Sequence, residues 1–255
     1  MSSLDTILSI ASSGMLSQQF NMDVIANNIA NVNTPGFHRT RVEFSDVIYD
    51  RSTLSTAGER VFPVAGVRVA ATRQLSNPGA VVPGQNTLDL AIDGEGFFQV
   101  RMPDGATGYT RDGVLSLDAN GRLVNSAGLV LVPEVQIDPS AQSINITADG
   151  RVLVGQNGEI TEVGRIVLAR FVEPAALEAL GFGAFRETAA SGPPITGTPG
   201  AGDMGAIVQR TLEVSNVDLA DDMVNMITAQ RAYQLSSRAA QVADEMMRVA
   251  NEIQG

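Results

Sequence analysis

The chain has 255 residues, a formal net charge of −11 and 17 basic residues, all of them arginine. An acidic chain disfavours nucleic acids and anionic membranes as partners, because both are bound through basic patches. The absence of cysteine excludes a disulfide framework and a thiolate metal site, and a single histidine disfavours a zinc site or a histidine-based triad. That histidine, His38, follows a turn signal, which predicts a solvent-exposed side chain.

The beginning of the chain carries no secretory or membrane signal. The first basic residue is Arg39, so the charged segment followed by an apolar core that a secretory signal requires is missing. No apolar run approaches the roughly 18 residues that span a membrane. If the protein leaves the cytoplasm, we expect a route without a cleaved signal peptide.

Residues 4–32 form the first predicted element, a helix. Apolar residues recur every three or four positions, which is the spacing of a helix with a narrow coiled-coil seam. Because isolated helices are marginally stable in water, we expect this helix to be largely disordered in a monomer and ordered once packed. The seam residues assigned to assembly are Leu4, Leu8, Met15, Met22, Ile25, Ile29 and Val32.

The rest of this helix is polar but almost free of charge, since Asp5 and Asp23 are the only charged residues among the first 35. A water-facing helix surface normally carries charge, so we expect protein to cover both faces. The end of the helix is predicted at the turn Thr34–Gly36, because the residue before a proline resists the helical conformation and glycine permits a sharp turn.

Five asparagines lie between residues 21 and 33. They either belong to a frayed helix end or form buried amide hydrogen bonds that set the register between neighbouring helices. We favour the second interpretation, because the apolar seam continues through them. It assigns Asn27, Asn28, Asn31 and the following Phe37 to assembly.

Residues 36–75 are predicted to be a connecting domain of extended arms and a loop. Apolar residues between Val42 and Tyr49 indicate one extended arm, and Val67–Ala71 indicates a strand. Residues 50–60 are polar and predict an exposed loop.

Residues 76–210 predict a β-rich domain. Segments of alternating apolar residues are separated by Asn-Gly and Asp-Gly dipeptides. These dipeptides are typical of hairpin turns, because glycine tolerates the positive φ that such turns require. An internal similarity between 117–128 and 146–158 indicates either two similar hairpins or chance. Residues 173–180 predict a short helix, and 189–205 form a Gly/Pro-rich connector. The dipeptides are Asp104-Gly105, Asp112-Gly113, Asn120-Gly121, Asp149-Gly150 and Asn157-Gly158.

Residues 215–255 predict a second long helix, with Ser215 and Asp218 resembling a capping box. One stripe recurs every seven residues, and a second runs through Leu235, Val242, Met246 and Val249. Two stripes indicate a helix packed between neighbours, whereas a single amphipathic helix folded onto the β domain needs only one. The first stripe, assigned to assembly, is Leu219, Met226, Tyr233, Ala240 and Met247.

The predicted fold class is therefore α+β, with a mainly-β central domain and long terminal helices that pair as a coiled coil on assembly. The helical assembly domain is expected to comprise 1–35 and 215–255.

Residues that carry chemistry are scarce. Asp93 and Glu95 flank Gly94 closely enough for acid/base work in principle, but turn formation explains both more simply. Asp118 and Asn120 resemble a fragment of a calcium loop that lacks the remaining ligands. We therefore expect no catalytic residue, no metal and no cofactor.

Three motifs resemble those of the rod proteins of the bacterial flagellar basal body, within the family of flagellar axial proteins. They are NMDVIANNIANVNTPGF at 21–37, LAIDGEGFFQV at 90–100 with YTRDG at 109–113, and LEVSNVDLADDMVNMITAQRAYQLSSR at 212–238. Within the family, NMDVIANN and NMITAQRAY favour the distal over the proximal rod. Residues 50–66 are shorter than expected for distal members.

The resemblance implies a structural, self-assembling subunit of a hollow helical tube that transmits torque from motor to hook. It further implies export through the flagellar type III apparatus and a periplasmic location. The implied partners are copies of the chain, other rod proteins, the hook protein, the export apparatus, and the peptidoglycan and outer-membrane rings, with no nucleic acid and no small-molecule substrate. The alternatives are a proximal rod or hook-type axial protein and a secreted carbohydrate-active enzyme using Asp93 and Glu95.

Overall fold

The computed structural model describes residues 3–49, 64–75, 77–156 and 158–254. These residues form two compact units. Among the described residues, the first unit comprises 3–30, 40–49, 64–73 and 218–254, and the second comprises 31–39, 74–75, 77–156 and 158–217. Two long helices in the first unit and many strands in the second confirm the predicted α+β class. The three-part division expected from the sequence and the coiled-coil pairing between copies stay predictions.

The first unit contains helix α1 (Ser3–Ala30), helix α2 (Leu219–Gln254) and a two-stranded sheet of β1 (Thr40–Tyr49) and β2 (Val64–Gln74). Both strands were predicted, as an extended arm and a strand. The polar loop predicted at 50–60 lies outside the described residues. Neither helix, within the described residues, has the length and apolar character needed to cross a membrane.

Helix α2 is capped by Asp218 and not by Ser215, so the predicted capping box is wrong. The Asp218 carboxylate accepts hydrogen bonds from the backbone N–H groups of Ala220 at 2.9 Å and Asp221 at 3.1 Å. The Ser215 hydroxyl accepts instead from Val217, before the helix begins. An aspartate that satisfies two free N–H groups of the first turn also places its charge at the positive end of the helix.

Helix α1 ends at Ala30, several residues before the predicted turn at Thr34–Gly36. The Thr34 N–H donates to the Asn31 carbonyl at 3.1 Å, and the Thr34 hydroxyl donates to the Asn31 side-chain oxygen at 3.2 Å. Side chains that bond locally in this way compete with the helix, which explains the earlier end.

The second unit is built from short antiparallel strands, as predicted. A nine-stranded sheet follows the order β14-β15-β6-β5-β9-β8-β7, with β13 and β16 attached beside β5. Separate small sheets contain β10-β11-β12, β17-β4 and β18-β3. The strands are β3 (Val81–Pro83), β4 (Leu90–Asp93), β5 (Phe97–Arg101), β6 (Thr107–Thr110), β7 (Ser116–Leu117), β8 (Leu123–Val124), β9 (Val130–Val132), β10 (Ser143–Ile146), β11 (Arg151–Gln156), β12 (Glu159–Arg165), β13 (Leu168–Arg170), β14 (Glu178–Gly181), β15 (Ala184–Arg186), β16 (Ile195–Gly197), β17 (Ala206–Gln209) and β18 (Thr211–Glu213).

The core of this unit is a single apolar cluster around Leu90, Phe98 and Leu168, all fully buried. A smaller aromatic cluster adjoins β5, where Tyr109 meets Phe171 edge to face at 4.7 Å between ring centroids. Aromatic pairs in this arrangement stabilise beyond their buried area.

Most predicted hairpin turns are confirmed, but Asp112-Gly113 is not a hairpin turn, and Asn157 lies outside the described residues. Gly113 lies so close to β4 that an added Cβ would fall 1.7 Å from the Leu90 carbonyl oxygen. Its carbonyl also accepts the Leu90 N–H at 2.9 Å. Glycine is therefore required here for close backbone approach rather than for a turn.

The internal similarity reflects two hairpins of the same geometry rather than chance. The turn glycines, Gly121 and Gly150, both have positive φ, of 76° and 82°. Each accepts a hydrogen bond at its carbonyl from a buried isoleucine further along the chain, Ile137 at 2.8 Å and Ile166 at 2.7 Å. Side chains at equivalent positions thus enter the same core.

One further prediction is wrong. Residues 173–180 do not form a helix: a short 3₁₀ turn at Pro174–Ala176 is followed directly by β14. Because β14 pairs with β15, sheet pairing overrides the local helical signal. The connector 189–205 contains strand β16, which pairs with β13.

Candidate assembly surface

Helices α1 and α2 pack against each other along one face of each helix. On α1 this inner face includes Ala11 and Ile25, which are buried, and Met15, Met22 and Ile29, which are half-buried. These predicted seam residues share one side of the helix because residues three and four apart are neighbours.

The inner face of α2 is the first predicted stripe. Met226, Tyr233, Ala240 and Met247 are half-buried, and the alanines between them, Ala229 and Ala243, are buried. Small residues let the two helices approach closely: a Cβ added at Gly14 would lie 3.1 Å from the Ser236 hydroxyl oxygen. Leu219, the first member of the stripe, remains exposed.

The outer faces of both helices carry large apolar side chains that nothing in the described part of the chain covers. Leu235, on the second predicted stripe, is 67% exposed, and Leu16 on α1 is 66% exposed. Soluble proteins rarely expose extended apolar patches unless these are interaction sites. The remaining exposed apolar residues of the outer faces are Ile10 and Phe20 on α1, and Met223, Val224, Ile227, Val242, Met246 and Val249 on α2. Ile7 and the predicted seam residue Leu8 are also exposed, but they lie four and three residues before the buried Ala11 and therefore on the side of the inner face.

The uncharged polar face of α1 binds the backbone of the two-stranded sheet, a role that the sequence analysis missed. The Ser13 hydroxyl accepts the Val67 N–H at 3.4 Å, and the Ser17 hydroxyl donates to the Val67 carbonyl at 3.3 Å. Two serines one helical turn apart thus satisfy both backbone groups of one strand residue. The signal in the sequence was the lack of charge on this face.

Asn28 fixes the start of β1 in the same way. Its side chain, 1% exposed, donates to the Thr40 carbonyl at 2.8 Å and accepts the Thr40 N–H at 3.0 Å. This buried amide therefore binds a strand of its own chain. A register role between helices of neighbouring copies stays a prediction for Asn27, Asn28 and Asn31.

The other predicted assembly residues lie elsewhere. Leu4 belongs to α1, but its side chain is outside the described part of the chain. Asn27 is exposed on the outer face of α1. Asn31, Val32 and Phe37 are half-buried members of the second unit, beyond the end of the helix.

A buried ionic cluster in the second unit joins the segment after α1 to the segment before α2. The Glu213 carboxylate, 2% exposed, binds His38 at 2.9 Å through one oxygen and Arg111 at 3.2 Å through the other. The Gly79 N–H also donates to it at 2.9 Å. His38 is 5% exposed, so the predicted solvent-exposed histidine is wrong. A partner 175 positions away cannot be found from local sequence.

The electrostatics of this cluster favour the ionised pair. Burial alone would raise the pKa of Glu213, but the hydrogen bond with His38, the charge of Arg111 and the Gly79 N–H together hold it below its ordinary value of 4.5. Burial lowers the pKa of Arg111, and the charge of Glu213 opposes this shift.

The turn at Gly36 brings this segment to the cluster. Gly36 has a φ of 68°, and its N–H donates to the Glu213 carbonyl at 2.8 Å. An added Cβ would lie 2.5 Å from the Arg111 carbonyl carbon, so only glycine fits.

The acid/base alternative gains no support from the geometry. Glu95 is exposed and forms an ion pair with Arg170 at 3.3 Å, and Asp93 is also exposed. Within the described residues, no group of three or more potential ligands is arranged to hold a metal ion.

Comparison with known proteins identifies the family. Three family models match the chain: "Flagella basal body rod protein" over residues 8–38, "Flagellar hook protein FlgE/F/G D1 domain" over 91–154 and "Flagellar basal body rod FlgEFG protein C-terminal" over 208–253. They cover the same three regions as the motifs recognised in the sequence.

Full-length relatives agree. The flagellar basal-body rod protein FlgG of Borreliella burgdorferi is 41% identical over 257 residues, covering 95% of this chain and 96% of the relative. FlgG of Buchnera aphidicola from Acyrthosiphon pisum is 40% identical, covering 96% and 98%. FlgG of Agrobacterium fabrum is 38% identical with the same coverage. The chain therefore belongs to the FlgG family of flagellar basal-body rod proteins, a family of structural proteins rather than enzymes.

Proposed function

We propose that the chain is a structural subunit of the distal rod, whose copies assemble into a hollow helical tube. Helices α1 and α2 form the inner layer, and the β-rich unit forms the outer layer. The tube transmits torque from the motor to the hook. The observation that carries this proposal is the set of large apolar side chains exposed on the outer faces of both helices, in a chain whose family builds rods.

The proposed partners follow from a position in the rod. Copies of the chain cover the exposed helical faces, and other rod proteins and the hook protein contact the ends of the assembly. The chain passes through the flagellar export apparatus without a cleaved signal peptide and then lies in the periplasm, within the peptidoglycan and outer-membrane rings. It has no catalytic activity and binds no cofactor, nucleic acid or small-molecule substrate.

Removal of residues 1–33 tests this function. The β-rich unit has its own apolar core, so we expect the truncated chain to stay soluble and folded. Rod assembly and motility should be lost, because α1 and its contacts are absent. Circular dichroism of the truncated chain and electron microscopy of isolated basal bodies provide the measurements. Rods built from the truncated chain would refute the assembly role of α1.

The position along the rod needs a separate measurement. A labelled copy seen next to the hook in isolated basal bodies supports the distal assignment, and one seen near the inner-membrane ring supports a proximal rod protein. The FlgG relatives favour the distal position.

A further inference from the structure

The outer face of α1 carries one acidic group within an apolar patch. Leu16, Phe20 and Asp23 are spaced four and three residues apart, so they lie on one side of the helix, and all three are exposed. We call these residues the α1 patch. Its only charge is the carboxylate of Asp23.

The outer face of α2 carries the opposite charge in the same setting. Arg231, Leu235, Arg238 and Val242 recur every three or four residues and are all exposed. We call these residues the α2 patch. Arg231, Leu235 and Arg238 line a common surface groove. Glu245, three residues after Val242, lies on the same side of the helix and is also exposed. The positive charge on this side of α2 therefore ends at Arg238 and is followed by a negative charge.

The two patches cannot meet within one chain. Helices α1 and α2 already pack through their inner faces, where Gly14 approaches Ser236, and both patches lie on the opposite sides of their helices. Among the described residues, Asp23, Arg231 and Arg238 have no ion-pair partner within their own chain. The α1 patch combines apolar side chains with a negative charge, and the α2 patch combines apolar side chains with positive charges. The two patches are therefore complementary surfaces.

We propose that the α1 patch of one copy binds the α2 patch of a neighbouring copy, with Asp23 between Arg231 and Arg238 and the apolar residues in contact. Each copy offers one patch of each kind, so the contact is heterologous and can repeat without closing, as a rod requires. This inference rests on the proposed function and specifies which surfaces of the subunit meet.

Charge reversal tests the pairing in flagellated cells that produce only the variant chain. Asp23→Arg alone, and Arg231→Glu with Arg238→Glu, should each reduce the yield of complete basal bodies by at least about tenfold, because like charges would face each other in an apolar contact. Arg248→Glu is the matched control: it is exposed on α2 but off this row, and we expect a normal yield.

Producing the two reversed chains together should restore assembly. Each α1 patch that carries the Asp23→Arg change would then find a neighbour with acidic groups on α2, and each native α1 patch would find a native α2 patch. A single chain carrying all three reversals should also assemble. Restoration in both cases supports the pairing, and failure in both contradicts it.

The absence of cysteine in the chain permits a second test that does not depend on charge. Rods are built from a mixture of two variant chains, one with Phe20→Cys and one with Leu235→Cys. We expect disulfide-linked dimers that contain one chain of each variant. Copies with Ile160→Cys, an exposed residue of β12, serve as the control and should not link to Phe20→Cys.

The outcomes separate the pairing from the function. If the reversed chains assemble normally and no mixed disulfide forms, the pairing is wrong, while the loss of rods on removal of residues 1–33 would still support the rod function. If rods form from the chain without those residues, the assembly role of α1 is wrong. Normal rods in cells that lack the chain altogether would refute the rod function itself.

Discussion

At the residue scale, the side chains that hold α1 to its strands are short and uncharged. Ser13, Ser17 and Asn28 bond backbone groups of Val67 and Thr40. Burying an unpaired charged side chain at these positions would cost more free energy than burying an amide or a hydroxyl. The unusual lack of charge on α1 thus has a physical cause within one chain, in addition to any contacts between copies.

Asn28→Leu should disturb assembly without unfolding the β-rich unit. The substitution leaves the part-buried Thr40 N–H and carbonyl without their partner, which costs up to about 1–3 kcal/mol for each group. We expect fewer rods and reduced motility, with an unchanged thermal transition of the β-rich unit. Asn33→Leu, at an exposed position beyond the helix, is the control. Normal rods from Asn28→Leu would show that the bond to β1 is dispensable.

Glu213→Gln should destabilise the β-rich unit by about 3–5 kcal/mol, because it removes the partner of the buried Arg111 charge. Urea unfolding measures this difference. Glu159→Gln, on the exposed strand β12, should change the free energy of unfolding by less than about 0.5 kcal/mol. A similar decrease in the free energy of unfolding in both variants would contradict the claim that the buried ionic cluster stabilises the β-rich unit.

The native chain and Glu213→Gln also give a prediction for pH. The pKa of Glu213 is lower in the folded than in the unfolded chain, so its ionised form stabilises the fold above its ordinary value of 4.5. The advantage of the native chain over Glu213→Gln should be constant at higher pH and disappear as the pH falls through the folded pKa. An advantage that grew on acidification would contradict the assigned direction.

At the scale of elements, the sequence predicted what depends on periodicity and local turns. Both long helices, the two stripes of α2 and most β hairpins follow from spacing and glycine dipeptides. Long-range contacts were not accessible. The pairing of β14 with β15 overrides the helical signal at residues 173–180. His38, predicted to be exposed, is buried because it binds Glu213, which lies far away in the sequence. Of the assembly surface, spacing identified the stripes, but only the structure shows which stripe is already covered.

Ala243→Leu should weaken the packing of α1 on α2. Ala243 is buried in the inner face of α2, and added methylenes in a packed contact cost about 1–3 kcal/mol. We expect isolated rods to dissociate at a lower temperature. Ala127→Leu, at an exposed position in the turn between β8 and β9, should leave that temperature unchanged. Equal dissociation temperatures for both variants would contradict the assignment of the inner face.

At the scale of the whole molecule, the two units differ in how they are stabilised. The β-rich unit has a buried apolar core and a buried ionic cluster of its own. The helices bury small residues on their inner faces and leave large apolar residues exposed on their outer faces. This division predicts a subunit whose β-rich unit is folded before assembly and whose helices are completed by neighbouring copies.

Amide hydrogen exchange, compared between the purified monomer and isolated rods, tests this central claim most directly. We predict fast exchange over residues 3–30 and 219–254 in the monomer, slow exchange over the same residues in rods, and protection of the β-rich unit in both. Helices protected to the same degree in the monomer as in rods would contradict the claim that neighbouring copies complete them.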